Sequence, residues 1–193
     1  MARTFRTQVE MIAAHAKAAP DRVAMRQKAF GIWREITWSG LDEITRALAA
    51  GLMDLGMAHG THCGILSENR QEWVLAQFGI AAAGGVIVGM YPTSPAAEIE
   101  HLVNASDTEV LFIEDQEQLD KIIELRGRLP RLRQLVIFDP RGTGEVRELG
   151  LTSFAALMER GRAALDTARG EIARRQGTLR AEDTAMMVFT SGS

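Results

Sequence analysis

From residue 62 onward, short apolar runs alternate with amphipathic stretches, and this alternation leaves the chain few folds to choose from. Residues 62–66, 86–90, 109–113, 135–138 and 184–189 are runs of Val, Ile, Leu, Met and Phe that read as strands. Between them, 72–83, 94–105, 116–128 and 152–160 carry apolar residues at helical spacing. Strands apolar on both faces, each separated from the next by a helix, form a parallel sheet covered on both sides. Residues 161–183 are rich in Arg, Ala, Glu and Gly and poor in large apolar side chains. They read as an exposed helix or a mobile connection.

The first sixty residues follow a different pattern. Residues 7–18 show helical spacing (Val9, Ile12, Ala13, Ala16) and stop before Pro20. Residues 22–28 and 31–37 alternate apolar and polar positions around Phe30-Gly31, which predicts a two-stranded edge hairpin. A helix follows from an N-cap at Ser39 through Leu55, with Asp42 in the first turn and Gly56 as its C-terminal stop. A second N-cap is expected at Ser94, ahead of Pro95 and Glu98. The fold class is therefore α/β, a doubly wound layered sheet, mostly parallel, preceded by a helix and an edge hairpin. No linker or repeat divides residues 1–193.

Composition excludes several functions. The net charge of −3 gives no nucleic-acid footprint. The single cysteine, Cys63, forms no internal disulfide, fits a reducing compartment and lies in an apolar run, as a buried and inert thiol would. Residues 74–90 form the most membrane-like stretch, but Gln77 and four glycines leave it short of the roughly 20 apolar residues that span a bilayer, so no transmembrane segment is expected. The amino terminus lacks the long apolar run of a secretory signal.

The chemistry gathers at the last residues. Met186-Met187-Val188-Phe189 reads as a buried strand, and Thr190-Ser191-Gly192-Ser193 as a hydroxyl- and glycine-rich turn at its carboxyl end. In open α/β sheets ligands bind beyond the carboxyl ends of strands, and such turns offer N–H groups and hydroxyls to anions. Alone, Ser-Gly-Ser is equally a linker. The turn is not a Walker loop, and no strand is followed by Gly-x-Gly-x-x-Gly.

In its sequence setting, Val188-Phe189-Thr190-Ser191-Gly192-Ser193 resembles the opening of the phosphate loop of the adenylate-forming (AMP-binding) enzymes, which continues there with Thr-Gly and a Lys. Trp33-Arg34-Glu35-Ile36-Thr37-Trp38 and residues 82–93 resemble two further family segments in the same order. Tyr91-Pro92-Thr93-Ser94 and residues 112–121 are most similar to the long-chain fatty acyl-CoA synthetase branch. The resemblance implies that the chain is the N-terminal portion of the large AMP-binding domain, ending inside the phosphate loop. It implies a two-step ligase: a fatty carboxylate attacks the α-phosphate of Mg-ATP to give acyl-adenylate and pyrophosphate, then coenzyme A displaces AMP. Thr190, Ser191, Gly192 and Ser193 would hold the β- and γ-phosphates. Gly89, Met90 and Tyr91 would lie near the coenzyme A nucleotide, unless they are only a strand end and turn. ATP, Mg2+, coenzyme A and a fatty acid are the implied ligands of the parent, and a cytoplasmic place with peripheral contact at the inner membrane face is the implied location. The fragment itself is expected to be inactive, to bind none of these ligands tightly and, through an uncovered sheet edge, to self-associate. An adenylate-forming ligase for another acid and a noncatalytic nucleotide-binding module are the alternatives.

The remaining residues have plainer readings. His15, His59, His62 and His101 show no metal-ligand spacing. Ser67 or Asn69 is expected to cap the following helix, and Trp73, Phe78 and Met90 to pack in the core rather than line an acyl pocket. The acidic run 114–117 complements a helix dipole, and the basic run 126–133 is a solvated helix end.

Overall fold

The computed structural model describes residues 4–143 and 150–190. Helix α1 (Gln8–Ala18) starts where the Thr7 hydroxyl accepts from the Glu10 amide. Strands β1 (Val23–Ala29) and β2 (Ile32–Thr37) pair antiparallel around Phe30 and Gly31, whose φ angles of 50° and 81° make a tight two-residue reversal. The hairpin forms its own two-stranded sheet instead of joining the edge of the main one.

Helix α2 (Trp38–Asp54) begins two residues earlier than expected. Thr37, not Ser39, is its cap: the Thr37 hydroxyl accepts from the Gly40 amide, while the Ser39 hydroxyl donates to the Pro20 carbonyl. Gly56 takes φ 90° just past the helix, where a side chain would be strained.

The main sheet contains β3 (His62–Leu66), β4 (Val86–Met90), β5 (Val110–Ile113), β6 (Gln134–Ile137), β7 (Leu151–Ser153) and β8 (Met186–Val188) in the order 7-6-5-3-4-8. Every neighbouring pair is parallel. Helices α3 (Gln71–Ala82), α4 (Ala96–Ala105), α5 (Gln116–Leu125) and α6 (Phe154–Thr178) connect the strands. Because successive strand residues point to opposite faces, the core splits into two layers. Cys63, Ile65, Ile87, Phe112 and Val136 pack under α1, α2, α3 and α6. Leu66, Val88, Met90, Leu111, Ile113 and Ile137 pack under α4 and α5. Strands β3, β4, β5 and β6 are thus apolar on both faces because both faces are covered, whereas the edge strands β7 and β8 are only partly buried. Met186–Val188 is therefore not the buried strand its sequence suggested, and Val188 is largely exposed.

Two further departures from the sequence reading stand out. Residues 151–153 are a strand, not a helix start, and residues 126–128 form a 3-10 turn beyond α5. Residues 161–178 take the helical one of the two alternatives: they extend α6 along the helical layer, with Gly161 and Ile172 buried against it and most of the other residues exposed. That packing relies on absent side chains. A Cβ on Gly161 would lie 1.8 Å from the Ala47 carbonyl oxygen, and one on Gly51 2.5 Å from that of Leu157. Farther along, the guanidinium of Arg175 donates to the carbonyls of Met57 (3.1 Å) and Ala83 (2.9 Å), satisfying groups that the ends of α2 and α3 leave free.

Candidate functional site

The order 7-6-5-3-4-8 places β3 at a switch point: α3 leaves it on one face, whereas α4 and α5 lie on the other. Loops departing in opposite directions open a crevice at the strands' carboxyl ends. β8 pairs with β4 in the register Gly89↔Val188, so Phe189 and Thr190 emerge beside Met90 and Tyr91. Gly89, Met90, Tyr91, Glu98, His101, Val188, Phe189 and Thr190, with Leu102, line one cleft of about 560 Å³. Thr190 and the Gly89–Tyr91 segment, separated by about a hundred residues in sequence, therefore share one wall. Ser191, Gly192 and Ser193 lie outside the described residues. Met90 is buried, whereas Tyr91 is 70% exposed at the cleft mouth.

A second cavity of about 270 Å³ lies on the other side of β4, between Ser67, Glu68, Asn69, Trp73, Gly89 and Met186. Met90, Tyr91 and Val188 line both spaces, and so does Gly89. A Cβ there would meet only the Trp73 ring, at 3.9 Å, so backbone is open to both. Trp73 is partly buried against the core and also lines this cavity; Phe78 packs against the same layer.

Two polar ties hold the loops around these cavities, and neither was visible in the sequence. The first is centred on Glu114 after β5. Its carboxyl accepts from the Glu68 amide (2.7 Å), the Ser67 hydroxyl (3.1 Å) and the Arg70 guanidinium (3.5 Å). Arg70 also bonds Glu72 at 2.8 Å and lies over the Phe138 ring at 5.6 Å. Partial burial works against the charge of Arg70, but the bond to Glu72 and the fields of Glu72, Glu114 and Asp139 outweigh it and raise its pKa. Asp139, gripped mainly by Arg141, has its pKa lowered to about 2. Neither Ser67 nor Asn69 caps α3: the cap position is Arg70, without a side-chain bond, because Ser67 is engaged by Glu114.

The second tie is Lys121 on α5. Its ammonium donates to the Pro92 carbonyl at 2.7 Å and to Gln118 at 3.2 Å, and pairs with Glu117 at 3.2 Å. The loop after Tyr91 is thus fixed by a helix of the layer into which it leads. Ser94 is buried in that loop and does not cap α4, where Pro95 occupies the cap position without a side-chain bond. Asp115 does cap α5, accepting from the amides of Glu117 and Gln118.

The histidines are dispersed. His15 stacks on Trp38, His59 lies against Gly84, the His62 ring meets the Ser106 carbonyl, and His101 lines the larger cleft. Cys63 is buried, and burial pushes its thiol pKa well up, with the Glu109 charge adding to the effect, so it is no nucleophile. The basic residues 128, 131 and 133 are exposed and pair with Glu100, Asp107 and Glu109 of the same chain. No helix among the described residues is long and apolar enough to cross a membrane.

Comparison with known proteins agrees with this arrangement. The chain is 32% identical to the long-chain-fatty-acid–CoA ligase FadD15 of Mycobacterium tuberculosis over 183 residues, 95% of this chain and 29% of that protein. It is 30% identical to the long-chain-fatty-acid–CoA ligase heimdall of Drosophila melanogaster over 162 residues, 83% of this chain and 24% of that one. The chain thus spans less than a third of the length of these relatives. Among solved structures, acetoacetyl-CoA synthetase from Streptomyces lividans superposes with a TM-score of 0.68 at 25% identity, over 78% of this chain and 24% of that chain. The adenylation–carrier didomain of a carboxylic acid reductase from Segniliparus rugosus shares the fold, with a TM-score of 0.72 at 17% identity, over 85% of this chain and 27% of that chain. The family description AMP-binding enzyme matches residues 12–193, and the chain belongs to the AMP-binding enzyme family.

Proposed function

We propose that this chain is the N-terminal portion of an ATP-dependent long-chain fatty acid–CoA ligase, supplying one wall of its nucleotide sites. The observation that carries the reading is the shared cleft, in which Thr190 stands beside Gly89, Met90 and Tyr91 at the carboxyl ends of β8 and β4. In this reading Thr190, Ser191, Gly192 and Ser193 hold the β- and γ-phosphates of ATP, with hydroxyls and amides aimed at the charge that develops on pyrophosphate. Gly89, Met90 and Tyr91 present backbone to the coenzyme A nucleotide, and the Lys121 tie keeps the Tyr91–Pro92 segment in place for it. Mg2+ enters as the counter-ion of ATP, and no residue of this chain is assigned to it.

The first chemical step joins a carboxylate oxygen to the α-phosphorus and releases pyrophosphate. The second breaks that acyl–oxygen bond as the thiolate of coenzyme A attacks, and AMP leaves. The role of this chain in both is to bind and orient phosphates. By itself the 193-residue polypeptide, spanning 29% of its mycobacterial relative, is proposed to bind these ligands weakly and to catalyse neither step. Losing even one preorganised donor lowers rates by about 10²–10³-fold. Because its substrates ATP and coenzyme A are intracellular, the parent is placed in the cytoplasm, touching the inner membrane face where long-chain acids partition.

A second reading keeps the ligase and changes the acid, favoured by the 25% identity to an acetoacetyl-CoA synthetase. Incubating the full-length protein with ATP, coenzyme A and a panel of acids decides between them. Formation of AMP and acyl-CoA from palmitate or oleate supports the proposal. Turnover restricted to short or aromatic acids replaces it with the second reading, and no turnover with any acid refutes both.

A further inference from the structure

The β1–β2 hairpin carries features that neither the fold nor the nucleotide cleft uses. Its apex residue Phe30 is fully exposed, at 101% of the reference area, and adopts φ 50°. A left-handed backbone in a two-residue hairpin turn is the place of Asn, Asp or Gly, and a bulky aromatic there is strained. Ile32 and Trp33, directly behind it, are 66% and 58% exposed. A local rule broken together with an uncovered apolar group points to a role outside folding.

The side chains are also layered along the hairpin axis. Phe30 and Ile32 form the apolar tip. Cross-strand partners Lys28 and Trp33 come next, and Arg26 and Arg34 sit about 13 Å behind the apex at strand rise. Arg26 also lies over the Trp33 ring at 5.8 Å. Glu35 is the one carboxylate in residues 22–37, paired with Arg26 at 3.8 Å, against the cations Arg22, Arg26, Lys28 and Arg34. This basic, aromatic projection stands on a chain whose net charge is −3.

An apolar tip, an amphipathic aromatic ring and then a cationic collar reproduce the order of acyl chain, interface and headgroup in an anionic bilayer. We propose that the β1–β2 hairpin is a membrane-docking element that inserts Phe30 and Ile32 into the surface of an anionic phospholipid bilayer. Like charge on two such hairpins disfavours a second copy as the occupant. The proposal gives the inner-membrane contact suggested above a structural location, but it stands on the hairpin alone. Its failure leaves the ligase reading untouched.

The test is co-sedimentation of the 193-residue chain and of the full-length protein with vesicles of 30% phosphatidylglycerol in phosphatidylcholine, compared with phosphatidylcholine alone. Phe30→Asn is the main variant because it suits the turn and keeps the fold. Wild type is expected to bind the anionic vesicles and to be released by salt. F30N should weaken binding on the order of tenfold, and Lys28→Gln about fivefold on anionic vesicles only. Equal binding by wild type and F30N overturns the proposal, as does the absence of binding. Loss of self-association in F30N with unchanged vesicle binding would assign the hairpin to a second copy. A lower Tm for F30N in the full-length protein alone, with vesicle binding unchanged, would assign it to the rest of that chain, and either result rejects the bilayer.

Discussion

The ammonium of Lys121 donates to the carbonyl of Pro92 across 2.7 Å, so a helix on one layer of the sheet fixes the loop leaving β4. Lys121 is largely covered, and its partners Gln118 and Glu117 keep it aimed at that carbonyl. A loop otherwise free to fray is held at the mouth of the larger cleft. Replacing Lys121 by Met should cost about 1.5–3 kcal/mol in urea denaturation, the usual scale for a hydrogen bond from a charged donor. Hydrogen exchange should speed up at Ser94, whose amide bonds the Tyr91 carbonyl within this loop. Unchanged protection there would show that the tie does not order the loop.

The crossing of α2 and α6 gives a paired prediction from two glycines of one helix. Gly161→Ala places a methyl 1.8 Å from the Ala47 carbonyl oxygen and forces the helices apart, so it should destabilise by about 3 kcal/mol or more. Gly170→Ala meets nothing within 4 Å and removes backbone freedom inside the helix, so it should stabilise by about 0.5–1 kcal/mol. Thermal denaturation of both variants checks the sign of each.

Acid stability should depend on Glu171. Hydrogen bonds from Arg174 and then Arg175 lower its pKa from 4.5 to about 2. A carboxyl whose folded pKa is depressed contributes stability above its unfolded value and loses it as pH falls toward the folded one. Glu171→Gln should therefore flatten the stability profile between pH 4.5 and about 2, with little change in shape above that window. The effect is modest because the carboxylate is exposed. A variant profile parallel to wild type through that window would contradict it.

The Glu114 tie predicts a local rather than global change. Glu114→Gln keeps one acceptor oxygen but removes the charge facing Arg70 and weakens the grip on the Ser67 hydroxyl and Glu68 amide. Trp73, which shares the neighbouring cavity with Ser67 and Glu68, should report this as altered fluorescence while the far-ultraviolet dichroism stays that of the wild type. An unaltered Trp73 signal would separate the loop from the cavity.

Much of the fold could be read from the chain because its central strands are buried twice. Residues 62–66 and 86–90 are apolar at successive positions, and only a sheet covered on both faces needs that. β7 was missed because it is three residues long and only half buried at the sheet edge. In sequence the far end of α6 stays open between an exposed helix and a mobile connection for another reason. Its contact with α2 depends on Gly51 and Gly161 lacking side chains, which a search for large apolar residues passes over. Caps failed wherever a tertiary partner claimed the hydroxyl, as Pro20 does with Ser39 and Glu114 with Ser67. At the site, Thr190 and Tyr91 were named through a family resemblance, whereas Lys121 and Glu114 act over 29 and 47 residues of sequence and carry no local signature.

The central claim is that the cleft between the ends of β4 and β8 serves an ATP-dependent ligase. Fatty-acid-dependent exchange of labelled pyrophosphate into ATP, measured on the full-length protein with wild type and Thr190→Val, tests it most directly. The account predicts exchange that requires a long-chain acid and falls about tenfold or more in the variant through loss of one phosphate donor. Exchange that is absent with every acid, or that is unchanged by Thr190→Val, would contradict it.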